Sequence, residues 1–378
     1  MIETILILLF SILLLHYLSF LFVVNSGLNK LQRKQNINIR NEFVSIIVPF
    51  RNEANNIINS YQSLVNQNYP ADKYEIIFVN DSSTDDSLNK LIREINHQNV
   101  KVISVPEEYS VNAHKKRAIR FGIENCNGEI IVTTDADCVH NPDWLKTMMS
   151  FMDEKTGFVS GPLEFIDTGS VFSKIQRLEF AGLVITGAGL IGSDRPTICN
   201  AANIAYRKQV YYDVGGFTYQ MNLSSGDDEL LMQKIFRDSE YKVRFANHRN
   251  AIVKSFPNKT VIEFYQQRKR WASKGLFYNS KRLILKLILI YSFYLSIPLQ
   301  LVIGLFTSKL FLITLIISLL LKFTFEFSVL RKGVNLLFEK NILRVFPAAQ
   351  LFQIPYIIFV GLSGAFGNYM WKNRRVHR

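Results

Sequence analysis

The chain has 378 residues, 48% of them apolar, and 44 Lys and Arg against 31 Asp and Glu give a formal net charge of +13 at pH 7. That length holds one large soluble domain or two small ones. The basic excess flanks apolar segments, with Arg268, Lys269, Arg270, Lys274, Lys281 and Arg282 in one run, and no nucleic-acid motif accompanies it. Anionic lipid headgroups, and not nucleic acid, are therefore its expected partners. Three cysteines, Cys126, Cys138 and Cys199, lack CxxC spacing and fit reduced structural thiols in a cytosolic domain.

Taken in chain order, Ile5–Val24 is nearly all apolar and long enough to span a bilayer. No basic residue precedes it and no small-x-small cleavage site follows, so it reads as an uncleaved anchor. Lys30, Arg33, Lys34 and Arg40 come next, and the positive-inside rule places residue 40 onward in the cytoplasm. Strand signals then alternate with helix signals: strands at Phe43–Pro49, Tyr74–Asn80, Val100–Val105 and Ile130–Thr134, helices at Glu53–Gln67, Asp85–Asn96 and Asn112–Asn125. This order predicts an α/β domain with a mostly parallel, doubly wound sheet. Residues 140–280 are less regular and Gly-rich, and read as a continuation of the same domain that carries the acceptor side.

Three more apolar segments follow at Leu287–Phe306, Leu310–Leu330 and Leu351–Trp371. The first two are separated only by Thr307-Ser308-Lys309, which predicts a helical hairpin. Lys322 and Glu326, four apart, are expected to face each other or the protein interior, because a lipid-facing charge is costly. Four full spans would leave the basic tail Lys372–Arg378 outside, against the charge rule. A re-entrant or interfacial last segment removes that conflict.

The chemistry concentrates at predicted strand ends. Gly128–Thr134 is an apolar, β-branched run that ends in Asp135-Ala136-Asp137. Ligands bind at carboxyl ends of strands in open α/β sheets. Two hard oxygen ligands there suit Mg²⁺ or Mn²⁺ bridging to a diphosphate, although an acidic loop that merely solvates a strand end has the same pattern. The neighbouring strands end in Val48-Pro49-Phe50-Arg51-Asn52-Glu53 and Val79-Asn80-Asp81-Ser82-Ser83-Thr84-Asp85, whose carboxylates can accept from a nucleobase N–H or ribose hydroxyls. Helix capping is the alternative for Asp81 and Asp85, and the stronger one for Asp85. Neither Gly-x-Gly-x-x-Gly nor a Walker A loop is present, so side chains and metal hold the nucleotide. His140 lies just past Asp137, but a lone histidine there is more often a loop residue.

Val48–Glu53, Asn80-Asp81 through Asp85, His114-Lys115-x-x-Ala118-x-x-x-Gly122, Asp135-Ala136-Asp137, Gly226-Asp227-Asp228-Glu229 and Gln267-x-x-Arg270-Trp271 occur in this order. Over about residues 43–275 the chain resembles a membrane-anchored family 2 glycosyltransferase of the GT-A fold, related to the cellulose- and hyaluronan-synthase-like group. The resemblance implies an anchor at 1–28, a cytoplasmic GT-A domain at 40–282 and a membrane region with about three apolar helices and a basic tail at 283–378.

It also implies roles. Pro49, Glu53 and Asp81 border the nucleobase and ribose, and Lys115 and Asp135 lie near the nucleotide. Asp137 is the main metal ligand, with Asp135 beside it. Asp228 is the general base, with Asp227 the less favoured choice. Gln267, Arg270 and Trp271 lie beside the diphosphate and acceptor. The block Cys199–Asn203 with Tyr206-Arg207, ahead of Gly215-Gly216-Phe217, resembles a family segment that faces the donor sugar or acceptor and brings in Asn203; a tight turn is the alternative for the glycines. His114 and Arg120 stand where the family often has Gly and Asn, and Asp227 where Glu is commoner.

Elementary chemistry agrees with these roles. Inverting transfer needs a carboxylate to take the acceptor's proton, and a departing diphosphate needs a divalent cation and a cationic side chain. Trp271 offers a flat face for a sugar, while an interfacial helix with snorkelling arginines and a belt tryptophan is compatible with the same residues. The expected protein is an integral enzyme of the cytoplasmic membrane that moves a hexose-type sugar from a UDP-sugar to a lipid-linked or growing cell-envelope glycan. Few membrane segments favour one or a few additions over processive polymerisation. A metal-dependent phosphoryl-transfer or hydrolytic enzyme leaves Gln267–Trp271 unexplained, and a catalytically dead scaffold is at odds with the presence of Asp137 and Asp228.

Overall fold

The computed structural model describes residues 1–32, 42–109, 114–217, 226, 228–273, 278, 280–366, 369–371 and 374–376. In chain order, helix α1 (Ile2–Leu31) precedes strand β1 (Val44–Phe50), helix α2 (Ile57–Val65), strand β2 (Tyr74–Asn80), helix α3 (Ser87–Glu94), strand β3 (Val100–Ser104), helix α4 (His114–Glu124) and strand β4 (Ile130–Thr133). Next come β5 (Val139–His140), α5 (Trp144–Met149), β6 (Thr156–Ser160), β7 (Leu163–Phe165), α6 (Val171–Gly192), β8 (Ile204–Arg207), α7 (Lys208–Asp213), α8 (Glu229–Asp238), β9 (Lys242–Phe245) and β10 (Val253–Ser255). Helices α9 (Val261–Ser273), α10 (Lys281–Phe306), α11 (Leu310–Leu337) and α12 (Phe346–Phe366) lead to a short hairpin, β11 (Tyr369–Trp371) and β12 (Arg374–Val376).

The main sheet has seven strands in the order β3-β2-β1-β4-β8-β6-β9. Strands β1 to β4 run parallel, β8 is antiparallel to both β4 and β6, and β9 is parallel to β6. All seven residues of β1 are buried, as a central strand covered on both faces requires. Period-two alternation sends Ile47, Ile77, Val79 and Ile131 into the core shared with α1, α4 and α6, and Ile46, Val48, Ile76, Phe78 and Val132 into the opposite core with α2 and α5. The register Phe50↔Asn80 and Asn80↔Ser104 sets the carboxyl ends of β1, β2 and β3 on one rim. The β1–β4 ladder ends at Ile47↔Thr133, two residues before Pro49, whose ring has no N–H to give to a ladder. Past Thr133 the chain leaves the sheet and carries Asp135 and Asp137 onto that rim.

Helix α6 differs from the sequence expectation. Its glycines make residues 182–192 read as irregular, yet they are what lets the helix approach α1. A Cβ on Gly27 would fall 1.7 Å from the Gly189 carbonyl oxygen, and one on Gly192 would fall 2.4 Å from the Gly27 oxygen. Small residues permit such close crossings where two apolar helices meet. Ser193 Oγ adds a bond to the Val23 carbonyl, 2.7 Å.

Among the described residues, five helices are long and apolar enough to cross a membrane: α1, α6, α10, α11 and a stretch from Lys340 to Ala365 that includes α12. Of these, α6 is buried along much of its length. Helices α1, α10 and α11 run the length of one bundle. At its far end Glu3 bonds Ser308 in the turn between α10 and α11, and Phe10 packs edge-on to Phe311. Midway, Tyr17 stacks on Phe293 at 4.5 Å.

Helix α12 behaves differently. Asn341, just before it, meets Arg177 of α6. Gly364, near its end, lies against Ala272 of α9, where a Cβ would fall 2.6 Å from the alanine Cβ. Both ends of the helix therefore contact elements of the sheet domain, α6 and α9. The expected apolar segment Leu351–Trp371 is divided, with a helix ending at Phe366 and a backbone hairpin after it.

Candidate functional site

The rim carries a cavity of about 590 Å³, lined among others by Lys115, Asp135, Asp137, Asp228, Arg270 and Trp271. They come from four separate stretches of chain. Helix α4 presents Lys115, whose Nζ lies 2.5 Å from Asp135 Oδ1. Asp137 is half-buried, and Cys138 Sγ lies 3.5 Å from its Oδ1. Burial, reinforced by Asp137 and Asp135, holds the Cys138 thiol well above its usual range, so it stays protonated.

Asp228 is the N-cap of α8. It accepts from the Glu229 N–H at 2.7 Å and from the Ala201 N–H at 3.0 Å. The block at 199–203 thus contributes a backbone donor to the candidate base. Glu229, also on the cavity wall, accepts from the Tyr278 hydroxyl at 2.7 Å. Burial first, then the Glu229 and Asp228 carboxylates, push the Tyr278 phenol well above its ordinary value, which keeps it a donor. Nothing in the sequence singled out Tyr278, an aromatic within a basic run.

Helix α9 supplies Gln267, Arg270 and Trp271, and Arg268 holds them. Arg268 is 2% exposed. Its Nε lies 3.0 Å from Glu179 Oε1, its guanidinium sits 4.2 Å from the Trp271 ring centroid, and it also donates to Gln267. Tyr356 of α12 donates to the same Glu179, 2.9 Å. Arg268 is therefore not a snorkelling arginine but the buried pin that fixes Trp271 and ties α9 to α6 and α12. Its signal was in the sequence only as a cation beside the motif. Asn258 donates to Gln267 Oε1 at 2.9 Å. Arg270 is half-buried, faces the cavity, and its guanidinium has no ion-pair partner among the described residues.

Three expected nucleotide residues are not on the cavity wall. Pro49 is buried in β1 opposite Val79. Glu53 accepts from Asn56 Nδ2 at 2.9 Å. Asp81 is buried against Arg117, and Arg51 Nη1 donates to its carbonyl at 2.7 Å. Asp85 is a capping residue, taking the Ser87 N–H at 3.0 Å and the Ala54 N–H at 3.1 Å.

Asn203 is a correction. It was expected on the acceptor or diphosphate side, but it is fully buried. Its Oδ1 accepts from Trp144 Nε1 at 2.9 Å, and its Nδ2 donates to the carbonyls of Pro162 and Ala251 at 2.6 and 2.8 Å. These bonds use the amide to join β8 to two loops. His140, expected as a loop residue, is instead buried in β5: its ring nitrogens engage Ser63 Oγ at 3.0 Å and Thr134 Oγ1 at 2.8 Å. Burial lowers its pKa to about 3. Gly215 and Gly216 have φ of 74° and 49°, so the turn requires their backbone freedom. Asp227 lies outside the described residues.

The donor set bears on the metal expected from the sequence. Among the described residues, no three or more His, Cys, Asp or Glu gather as a metal cage. Asp135 and Asp137 offer hard oxygens, and Mg²⁺ is commonly held by one or two carboxylates together with substrate phosphates and water. The residues present fit a cation shared with a diphosphate.

A mostly parallel sheet flanked by helices, with two carboxylates past a central strand and a helix N-cap acid and a cationic helix on the same cavity, is a GT-A fold. Residues 45–215 match the model of glycosyl transferase family 2, and the chain carries a domain of that family. It is 27% identical over 209 residues to glycosyltransferase AglE of Haloferax volcanii, covering 54% of this chain and 64% of that protein. It is 22% identical over 260 residues to the poly-beta-1,6-N-acetyl-D-glucosamine synthase of Staphylococcus epidermidis, covering 68% and 60%. The chain spans less than two thirds of the length of these curated relatives. Among solved structures, the mannosyltransferase PcManGT of Pyrobaculum calidifontis, in complex with GDP-Man and Mn²⁺, is similar over 94% of this chain and 99% of its own, with a TM-score of 0.57 and 18% identity.

Proposed function

We propose that this chain is an inverting glycosyltransferase that moves a sugar from a nucleoside diphosphate donor, a UDP-sugar, to a lipid-linked or growing glycan acceptor at the cytoplasmic face of the membrane. The observation that carries this reading is the single cavity that gathers Lys115, Asp135, Asp137, Asp228, Arg270 and Trp271. In the reaction the acceptor oxygen attacks the anomeric carbon from the face opposite the diphosphate. A new carbon–oxygen bond forms, the bond to the diphosphate oxygen breaks, and the acceptor proton passes to Asp228. The two N–H groups that hold Asp228 fix its carboxylate towards the cavity. Arg270 faces the charge that develops on the leaving diphosphate. Asp135 and Asp137 would hold a divalent cation, Mg²⁺ or Mn²⁺, which supplies charge neutralisation to the diphosphate. The ring of Trp271, pinned on one face by Arg268, presents its other side to a sugar.

Two features favour a lipid-linked acceptor with one or a few sugars added. The cavity wall continues into apolar side chains of the long helices, including Ile288 of α10 and Leu362 of α12. Helix α9, with Gln267 and Arg270, packs on α12. PcManGT binds GDP-Man with Mn²⁺, which keeps a GDP-sugar among the donors to be tried.

The test is nucleoside diphosphate release by the detergent-purified chain across a panel of nucleotide sugars, with Mn²⁺, Mg²⁺ or EDTA and with membrane lipids as acceptor. Metal-dependent release from one donor, lost in Asp137→Ala, supports the reading. Silence across the panel with lipids present, together with no donor binding, overturns it in favour of a scaffold.

A further inference from the structure

A second cavity, of about 470 Å³, shares no lining residue with the first and lies between α8, the start of α10 and the segment after α6. Its wall carries five cations: Arg195, Lys234, Arg237, Arg282 and Lys286. Two are committed elsewhere. Arg237 pairs with Asp238 at 2.6 Å, and buried Lys234 donates to the Gly216 carbonyl at 2.8 Å. The acid on the wall, Asp194, is held by Lys30 at 3.2 Å. Arg195, Arg282 and Lys286 remain, exposed and with no ion-pair partner among the described residues. Three cations without an ion-pair partner among the described residues, around one concavity, attract an anion.

The position says which kind. Arg282 and Lys286 are four apart on one face of α10, in the first two turns of a helix long enough to cross a membrane. Leu285, between them in sequence, is an exposed apolar side chain, and Leu283 lies on the cavity wall. Asp194 is tied to the last turn of α1, a second candidate span, which ends at the same level. Exposed Phe236 of α8 lies on the same wall. Cations at the end of a span, with hydrocarbon-compatible side chains on one side, match a phosphate headgroup with its acyl chains running along α10.

We propose that this cavity binds the headgroup of an anionic phospholipid, its phosphate facing Arg195, Arg282 and Lys286. The lipid joins α10 to α8, the helix whose N-cap is Asp228. The proposal does not depend on the reaction assigned to the other cavity.

The experiment is native mass spectrometry of the chain in detergent, titrated with phosphatidylglycerol or with phosphatidylcholine of the same acyl chains. The expected result is retention of phosphatidylglycerol at a tenfold or more lower concentration than phosphatidylcholine. In the variant Arg195→Gln, Arg282→Gln, Lys286→Gln that preference falls to within about twofold of parity, while the melting temperature holds. Equal retention of both lipids by the unaltered chain overturns the proposal, as does an undiminished preference in the variant. Complete displacement of phosphatidylglycerol by millimolar glycerol 3-phosphate also overturns it, in favour of a soluble phosphate ligand. Should the triple variant not fold, Arg195→Gln and Lys286→Gln made singly must each weaken the preference; if neither does, the proposal fails.

Discussion

Two polar clusters in this chain sit against apolar surroundings, and they are completed in different ways. In the helical bundle, Lys322 lies 3.0 Å from Glu326 and donates to Gln350 and Gln353 at 2.6 Å each. That uses the three donors of an ammonium. Glu326 accepts in turn from Tyr17, from Tyr294 at 3.1 Å and from Gln350 Nε2 at 2.8 Å. Helices α1, α10, α11 and α12 each contribute, and each polar group is answered by another helix. Around the strand ends, Asp135 and Asp137 together with Asp228 of the α8 N-cap and Arg270 of α9 line a cavity of about 590 Å³. The closed cluster joins helices, because a charge without partners in apolar surroundings costs several kcal/mol. The cluster around a cavity has room for the partner to come from outside. Charge count does not separate the two; the space in front of the charges does.

Removing one member should therefore harm catalysis at the strand ends and folding in the bundle. The largest effect is expected from Asp137→Ala, which should lose metal-dependent donor binding and cut nucleoside diphosphate release at least ~100-fold, since a bound metal contributes several kcal/mol to such transition states. Donor titration with Mn²⁺ checks it, and unchanged affinity takes Asp137 out of the metal site. Asp228→Asn should follow closely. Asn keeps the bond from the Glu229 N–H but its amide nitrogen cannot accept from the Ala201 N–H, so stability should fall by about 1–3 kcal/mol and donor binding should hold, while transfer falls roughly 10²–10⁴-fold. Full turnover in that variant would reject Asp228 as the base.

In the bundle, Lys322→Met strands Glu326 and should cost about 3–5 kcal/mol, read as a lowered melting temperature in detergent. Adding Glu326→Leu should restore most of it. If the single variant melts like the unaltered chain, the bundle cluster is not the structural clamp described.

The smallest effect tests a third buried polar group. His140, lowered to about 3 by burial, stays neutral in the folded chain, whereas the unfolded chain takes up a proton below about pH 6.5. Its contribution is complete above that value and is lost as pH falls towards 3, at about 1.4 kcal/mol per pH unit. Between pH 6.5 and 4.5 that amounts to roughly 3 kcal/mol. His140→Gln should flatten the melting profile over this range, and an unchanged slope would remove His140 as its source.

Much of this was legible along the chain. The β-branched runs of β1, β2 and β4 are buried on both faces and announce themselves without knowledge of neighbours. The Asp-x-Asp pair follows a strand, so its place on the rim comes with the sheet. Lys322 and Glu326 meet because helical spacing brings residues four apart together. The failures share a cause. Asn203 and Asp228 are both short polar residues at the start of an element. One spends its amide inside the sheet and the other faces the cavity, and only the neighbouring chain, Trp144 in one case and Ala201 in the other, separates them. Arg268 and Arg270 are two residues apart on one helix, yet Glu179 buries the first while the second faces open space.

The sequence by itself determined the elements whose signals are local: an α/β sheet, apolar helices of spanning length, and acids placed after strands. Tertiary structure decided which polar groups were consumed by the fold and which were left facing a cavity. It also decided that glycine-rich α6 is a helix and that both ends of α12 contact the sheet domain. The physical reason is that periodicity and propensity act over a few residues. Burial and hydrogen-bond satisfaction depend on partners tens to hundreds of positions away, such as Gly27 against Gly189 or Gly364 against Ala272, which come together only when the chain has folded.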